Sequence, residues 1–158
     1  AGLLKPLPIP DQKWWHISMD FVVQLPMTER GHDAVLVFVD RLTKMVHLVP
    51  TQTSCSAMRA AELFVDHVFK LHGLPRTVVS DRDSRFVSEF WRSLMTLLGV
   101  EQHLSSAFHP QSDGQTERVN RIMEDMLRHY VSPMQRDWDR FLSCVEFAIN
   151  NSWQESVR

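Results

Sequence analysis

The spacing of the hydrophobic residues changes near residue 56, and this change limits the folds open to the chain. Before it, apolar residues alternate or run together, which is typical of strands. "HISMDFVVQL", "AVLVFVD" and "KMVHLVPT" each predict a strand, and the short turns between them favour an antiparallel meander. The middle segment is apolar up to its final aspartate, as expected for a central strand buried on both faces.

Beyond this point, apolar residues return every three or four positions from Ser56 to Leu71, which predicts a helix. Gly73 and Pro75 are typical of the end of such a helix. "TVVSD" predicts a short fourth strand that ends at Asp81, and "SEFWRSLMTLLG" predicts a second helix.

The last third of the chain predicts three more elements. "VEQHL" fits a fifth strand, and a polar loop leads to a third helix from Asp113 to Val131. A last helix is expected from Trp138 to Asn150. Three strands followed by alternating helices and strands are typical of an α/β fold, in which helices flank a mixed sheet.

The length of 158 residues predicts one domain. Residues 1–13, which hold three of the eight prolines, are interpreted as a linker, and residues 14–158 as the domain. A net charge of −2 disfavours a stand-alone nucleic-acid coat protein, which would be basic. It allows an enzyme that meets DNA through metal ions and a local patch.

Signals of compartment are few. Cys55 and Cys144 have no metal-type spacing and are predicted to be reduced, buried thiols of an intracellular protein. No apolar run approaches the ~18 residues of a membrane span. The start of the chain lacks the features of a signal peptide. We therefore expect an intracellular protein with no membrane partner.

Three acidic residues stand out by their positions. Asp20 lies inside the first predicted strand, on its polar side, where an acid is unfavourable by propensity. Asp81 ends the fourth strand, where open α/β sheets place their ligand sites. Glu117 lies in the first turn of the third helix, whose start is marked by Ser112 and Gln115 as an S-x-x-Q capping box.

Glu117 heads a polar stripe on the third predicted helix. At about 100° per residue, the stripe takes in Arg121, Glu124 and Arg128 within roughly 40° of Glu117, and Asn120 within about 60°. The apolar residues on the other side are predicted to be buried. They are Val119, Ile122, Met123, Met126 and Tyr130.

Three carboxylates brought together would repel one another unless a cation lay between them. Hard oxygen ligands suit Mg²⁺ or Mn²⁺, and two such ions ~3.5–4 Å apart can clamp a phosphoryl group during in-line displacement. Each acid also has a structural explanation. Asp20 could pair with an arginine, Asp81 could cap a turn, and Glu117 could favour the helix dipole. The structural explanation is the stronger for any one acid alone.

The spacing of these acids and the segments around them carry a resemblance. Between Asp81 and Glu117 lie 35 residues. In order, "ISMDFVVQLP", "VFVDRLTKMVHLVP", "HGLPRTVVSDRDSRF", "FWRSLMTLLG" and "SSAFHPQSDGQTERVNR" each resemble segments of the integrase core of gypsy-type long-terminal-repeat retrotransposons. Over residues 2–153 the chain is therefore similar to retroviral and retrotransposon integrases, which carry a D,D-35-E signature.

The resemblance implies an RNase H-like fold, with a five-stranded mixed sheet made of an antiparallel meander and two parallel strands. It implies Asp20, Asp81 and Glu117 as ligands of two Mg²⁺ ions, for which Mn²⁺ can substitute. The implied activity is DNA integration. Water attacks a phosphodiester near each 3′ end of the element, and the freed 3′-hydroxyl then attacks target DNA.

The resemblance also implies partners and contacts. Element ends and target DNA are the expected partners, the protein is expected to form a homodimer or higher oligomer, and integration would take place in the nucleus. Arg118 and Arg121 fit phosphates and fit a solvated helix face with i,i+4 ion pairs equally well. The candidate DNA contacts are His109, Gln111, Ser112, Asp113, Arg118, Asn120 and Arg121.

Several nearby polar residues are interpreted structurally. Asp40 is expected to cap the turn after its strand, with a position near the metal ions as the alternative. Asp83 and Arg85 are expected to order the turn behind Asp81.

Two alternative functions stay open. One is a nuclease of the same fold that cuts without joining, and the other is a catalytically silent remnant that binds DNA or dimerises. Complete integrases carry a zinc-binding domain before this core and a basic domain after it. We therefore expect this chain to be a fragment, truncated at its C-terminus.

Overall fold

The computed structural model of the protein describes residues 11–100, 121, 125–126 and 136–156, the last four of these by their backbone alone. The strands are β1 (His16–Val22), β2 (Ala34–Asp40), β3 (Val46–Thr51) and β4 (Thr77–Val79). The helices are α1 (Ala57–Phe64), α2 (Lys70–His72), α3 (Ser84–Leu98) and α4 (Leu142–Ser156), with a π-helical turn Val65–Phe69 and a 3-10 turn Trp138–Phe141.

The four strands form one mixed sheet in the order β3-β2-β1-β4. β1 pairs antiparallel with β2, and β2 pairs antiparallel with β3, so the predicted meander is confirmed. β4 pairs parallel with β1. All residues of β2 are buried, as its apolar sequence predicts for a central strand. The predicted fifth strand falls mainly on residues 101–104, which lie outside the described residues.

Each face of the sheet is covered by helices, because alternate residues of a strand point to opposite sides. Ile17, Met19 and Phe38 face α1 and α3 and pack in one cluster with Phe64 and Phe90. On the other face lies a second cluster, made largely of valines and covered by the 3-10 turn and α4. Its members are Val22, Val35, Val37, Val39, Val46, Leu48, Trp138, Leu142, Val145 and Ile149.

The first predicted helix is confirmed, but it is not uniform. Ser56 caps α1, since its hydroxyl accepts a hydrogen bond from the backbone N–H of Arg59 at 3.0 Å. The π-helical turn then separates α1 from α2. The run ends at His72, where Gly73 has a φ of 82°, a value that glycine adopts without the cost that other residues carry.

The boundaries around Asp81 differ from the prediction. β4 ends at Val79, so Asp81 lies two residues beyond the paired strand. α3 begins at Ser84, earlier than expected, because the side chain of Asp83 accepts from the backbone N–H of Phe86 at 2.8 Å. Arg85 does not order the turn behind Asp81. It lies in the first turn of α3, where its guanidinium contacts Glu89.

Only part of the last third is described. Arg121, Asp125 and Met126 of the third predicted helix are helical. Arg121 is exposed and Met126 packs against the second cluster, as the predicted stripe requires. The last helix continues beyond Asn150, to Ser156.

Two further features bear on the predictions. Cys55 is buried, but Cys144 is exposed on α4, so its predicted burial is wrong. None of the helices in the described ranges has the length and apolar composition of a membrane span.

Candidate functional site

Asp20 and Asp81 lie side by side at the carboxyl ends of β1 and β4. The parallel register pairs Ser18 with Val79, so two residues further along Asp20 stands level with Asp81. The backbone N–H of Asp81 donates to Oδ1 of Asp20 at 3.0 Å. The fold therefore brings together two of the three acids that the sequence singled out, although 61 positions separate them in the chain.

The two acids differ in exposure. Asp20 is 4% exposed and points to the face covered by α4, opposite Val37 of β2. Asp81 is exposed. A buried carboxylate needs polar partners, and the amide of Asp81 is one of the partners of Asp20. A ligand bound between the two acids would therefore contact the buried Asp20 on one side and remain accessible to solvent on the side of Asp81.

The turn that carries Asp81 is held by hydrogen bonds between residues that are close in the sequence. The hydroxyl of Ser80, a buried residue, accepts from the backbone N–H of Arg82 at 3.1 Å. Asp83 caps α3 directly afterwards. The backbone on both sides of Asp81 is thus fixed, while its side chain faces solvent.

Arg82 is a feature of this site that the sequence prediction missed. Its guanidinium carbon lies 4.2 Å from the ring centroid of Phe86 and 5.3 Å from that of Phe21, within the range of cation–π contacts. In the described part of the chain it forms no ion pair. The spacing of Arg82 and Phe86 in "SDRDSRF" is the signal that could have indicated this contact, since an arginine and an aromatic residue are four positions apart.

Most of the other predicted site residues lie outside the described part of the chain. Arg121 is helical and exposed. Among the described residues, no three histidine, cysteine, aspartate or glutamate side chains converge as a metal site would require. Those outside the described residues are His109, Gln111, Ser112, Asp113, Glu117, Arg118 and Asn120.

Asp40 serves the opposite end of the sheet, and its predicted role as a turn cap is confirmed. Its carboxylate is fully buried and accepts from the backbone N–H of Trp14 at 3.0 Å and from the hydroxyl of Thr43 at 2.7 Å. Longer bonds of 3.3 Å come from the amides of Leu42 and Thr43. These donors satisfy the buried carboxylate of Asp40.

A third buried aspartate was not singled out in the sequence. Oδ2 of Asp139 accepts from the hydroxyl of Thr28 and contacts Nδ1 of His32, each at 2.7 Å. Burial by itself raises the pKa of the Asp139 carboxyl, but the hydrogen bonds from His32 and Thr28 outweigh it and hold the pKa below its usual range. The cluster joins the β1–β2 loop to the 3-10 turn, as does the bond from Nε1 of Trp138 to the carbonyl of Pro26 at 2.6 Å.

Residues 10–110 of the chain match the family described as "Integrase core domain". Among curated proteins, the chain is similar to the Transposon Tf2-3 and Tf2-4 polyproteins of Schizosaccharomyces pombe (strain 972 / ATCC 24843). Each is 35% identical over 151 residues, which are 96% of this chain. The chain spans 11% of the length of each of these relatives.

Solved structures are similar in fold. The HTLV-2 integrase catalytic core domain in complex with magnesium (trimeric form) has a TM-score of 0.58 and 16% identity, over 85% of this chain and 84% of that one. The dimeric form of the same domain has a TM-score of 0.53 and 18% identity, over 89% and 84%. A simian T-cell lymphotropic virus intasome, in complex with PP2A regulatory subunit B56 gamma, has a TM-score of 0.57 and 18% identity, over 85% and 48%. These likenesses show the RNase H-like fold, a mixed sheet flanked by helices.

Proposed function

The chain belongs to the integrase core domain family, and we propose on this basis that it is a metal-dependent polynucleotidyl transferase core that acts in the integration of retroelement DNA. The observation that carries the proposal is the pairing of Asp20 with Asp81 across β1 and β4.

The donor chemistry of this pair fits a divalent cation. Two carboxylates at one sheet edge repel each other, and a hard cation with oxygen ligands removes that repulsion. Asp20, Asp81 and Glu117 are the proposed ligands, with Glu117 outside the described residues. When bound, Mg²⁺ or Mn²⁺ would stabilise the charge on the attacking and leaving oxygens of a phosphodiester.

The protein's own contribution is position. The ladder with β2 fixes Asp20, and the hydrogen bonds at Ser80 and Asp83 fix the backbone of Asp81. Carboxylates held in this way need little rearrangement when the scissile phosphate arrives, which is how a preorganised site lowers a barrier. In the proposed reactions, oxygen nucleophiles attack in line, first water and then the 3′-hydroxyl of the processed end.

DNA is the proposed partner. Arg82 offers a cation held against Phe21 and Phe86 next to Asp81, and arginine is well suited to phosphate oxygens. The seven residues predicted from sequence as DNA contacts remain proposals. We also propose a homo-oligomer, since the similar HTLV-2 core domain is described in dimeric and trimeric forms.

A strand-transfer assay tests the proposed function. The chain is incubated with Mg²⁺ or Mn²⁺, a labelled duplex with a recessed 3′ end and a target plasmid. Glu117→Gln and Asp81→Asn are the inactivated variants, and Asp40→Asn is the matched control because it changes a buried aspartate at the far end of the sheet.

The outcomes separate the candidate functions. Joined products from the native chain and from Asp40→Asn, but not from the other two variants, support the proposal. Cutting without joining supports the nuclease of the same fold instead. A folded chain that binds no Mn²⁺ and forms no product overturns the catalytic proposal.

A further inference from the structure

Three aromatic rings meet at the end of the sheet opposite to Asp20. Trp14 precedes β1, His47 lies on β3, and His72 ends α2. The Trp14 ring stacks on His72 with centroids 4.3 Å apart and an interplanar angle of 9°. It lies 4.9 Å from His47 at 30°. The ring of His47 on β3 and the ring of His72 at the end of α2 thus both contact the indole of Trp14.

The two imidazoles contact each other head-on. Nε2 of His47 lies 2.9 Å from Nε2 of His72. The ring centroids are 5.1 Å apart, which exceeds the nitrogen separation by about 2.2 Å (5.1 less 2.9). The excess is close to twice the distance from the centroid of an imidazole ring to one of its nitrogens. The two ring centroids and the two Nε2 atoms therefore lie nearly on one line. A shared metal ion, bound at roughly 2.0–2.1 Å by both rings, would need them at an angle.

The contact is therefore an N–H···N hydrogen bond, and such a bond limits how many protons the pair can hold. One nitrogen must carry a proton and the other must offer a lone pair. A neutral pair and a singly protonated pair both satisfy this requirement. In a doubly protonated pair, two N–H groups and two positive charges face each other, and the bond is lost.

Charged groups from each neighbouring element surround the pair. From α4, Oε1 of Glu146 lies 3.5 Å from Nδ1 of His47 and also accepts from the backbone N–H of Leu48 at 2.8 Å. From β2, the negative charge of Asp40 acts to raise the pKa of His72. From the π-helical turn, His67 interacts electrostatically with His47, and His67 itself is influenced by Asp66 and Lys70.

Partial burial lowers the pKa of His72, and the neighbouring His47 lowers it further, while Asp40 opposes both. Partial burial also lowers the pKa of His67. The geometry and the lowered pKa of His72 agree: a positive charge on His47 makes protonation of His72 less favourable.

We propose that the His47–His72 pair is a proton-sensitive clasp, which ties the end of α2 to β3 in its neutral and singly protonated forms and releases it when both rings are charged. The clasp stands on the ring geometry alone and does not depend on the proposed catalytic function.

The clasp bears on the segment that leads to Asp81. Trp14 has a positive φ of 68°, which is unusual for a bulky residue and persists only where neighbours hold it. The next carbonyl, that of Trp15, accepts from the amides of Arg76 at 2.6 Å and Thr77 at 3.0 Å, where β4 begins. β4 has only three residues, so these two hydrogen bonds are a substantial part of what fixes its start.

Two measurements on the chain test the clasp. The first is NMR of the imidazole nitrogens, which should show a through-bond coupling between the two Nε2 atoms at pH 7 that disappears as the pH falls to 5. The second is amide hydrogen exchange at Arg76 and Thr77, corrected for intrinsic rates. Protection should fall by at least about tenfold between pH 7 and pH 5, since one linked proton shifts the opening equilibrium by about tenfold for each pH unit over which it is bound.

Two variants show whether the clasp is the sensor. His72→Gln keeps a side chain that can hydrogen-bond to His47 but does not titrate, so its protection should stay constant across this range. His67→Gln should behave as the native chain. The proposal is overturned if His67→Gln removes the pH dependence as fully as His72→Gln, or if no coupling is seen at pH 7. Stoichiometric Zn²⁺ binding that His47→Gln abolishes would also overturn it, in favour of a metal cross-link.

Discussion

The two ends of the sheet each bury an aspartate, and the two acids are held in different ways. Asp40 accepts from two backbone amides and a hydroxyl of its own turn and from the amide of Trp14. Asp20 accepts from the amide of Asp81, a second acid whose side chain is exposed. Neutral donors around a carboxylate are typical of a structural role. The amide that donates to Asp20 is neutral as well, but it belongs to a residue that carries a second carboxylate, and two acids at the same end of a sheet are a candidate cation site.

Substitution of either acid at the Asp20 end is expected to reduce activity strongly. Asp20→Asn and Asp81→Asn should each reduce strand transfer by about a thousandfold or more, roughly 4 kcal/mol of barrier, because each removes a proposed metal ligand. Asp40→Asn should change the rate per folded molecule by less than about threefold. The measurement is strand transfer at equal folded concentration. Equal losses in all three variants would show that the two ends do not differ in function.

Removal of the Asp40 carboxylate is expected to reduce the stability of the fold. Asp40→Ala leaves several buried donors without an acceptor and should reduce the free energy of unfolding by about 3–5 kcal/mol. Asp81→Ala, at an exposed side chain, should change it by less than about 0.5 kcal/mol. Urea denaturation of both variants provides the values. A loss at position 40 below about 1 kcal/mol would contradict a structural role for Asp40.

How far the sequence predicts this contrast depends on how local its signals are. The alternation in β1 placed Asp20 on the polar side of a strand, and the apolar run of β2 predicted a buried central strand. Asp40 was correctly assigned to its turn because its partners Leu42 and Thr43 are close in the chain. Such features follow from residues within a few positions of one another.

Contacts between distant segments were not predicted. Asp139 meets Thr28 and His32 across more than 100 positions, and no local pattern marks that encounter. The early start of α3 was missed because the cap at Asp83 was assigned to a turn without extending the helix. The pairing of Asp20 with Asp81 was predicted through the family resemblance, since strand order is a tertiary property.

Asp139 is a third buried acid to set beside Asp20 and Asp40. It is buried like Asp20, but its partners are a hydroxyl and a histidine, as expected for a structural acid. Its folded pKa lies below the unfolded value of about 3.9, so its stabilising effect is present above that value and is lost as the pH falls through the folded pKa. Asp139→Asn should reduce the free energy of unfolding at pH 7 by about 1–3 kcal/mol. It should also weaken the fall in stability below about pH 4.

Thermal denaturation of Asp139→Asn between pH 3 and pH 7 checks this, with Asp137→Asn as the neighbouring control. The control should follow the native pH dependence. Strand transfer per folded molecule should remain native in both variants. A large catalytic loss in Asp139→Asn with normal stability would place this acid with Asp20 and not with Asp40.

Arg82 places a positive charge beside the acids at the Asp20 end, and its substitution is expected to have a smaller effect, on DNA binding. If Arg82 contacts a DNA phosphate, Arg82→Ala should lower the slope of log affinity against log salt by about one unit and weaken binding several-fold at low salt. Arg82→Lys should retain most of the slope, since it keeps the charge. Arg92→Ala, at an exposed position on α3, is the control and should leave the slope unchanged.

A structural role predicts a different pattern for the same variants. If the stacking on Phe21 and Phe86 only supports the turn, Arg82→Ala should cost up to about 1 kcal/mol of unfolding free energy and leave the salt slope native. Fluorescence anisotropy with a labelled duplex at several salt concentrations, measured beside urea denaturation, separates the two. A lower salt slope with native stability would show that Arg82 binds DNA beside the two acids. A native slope would show that Arg82 does not contribute to DNA binding.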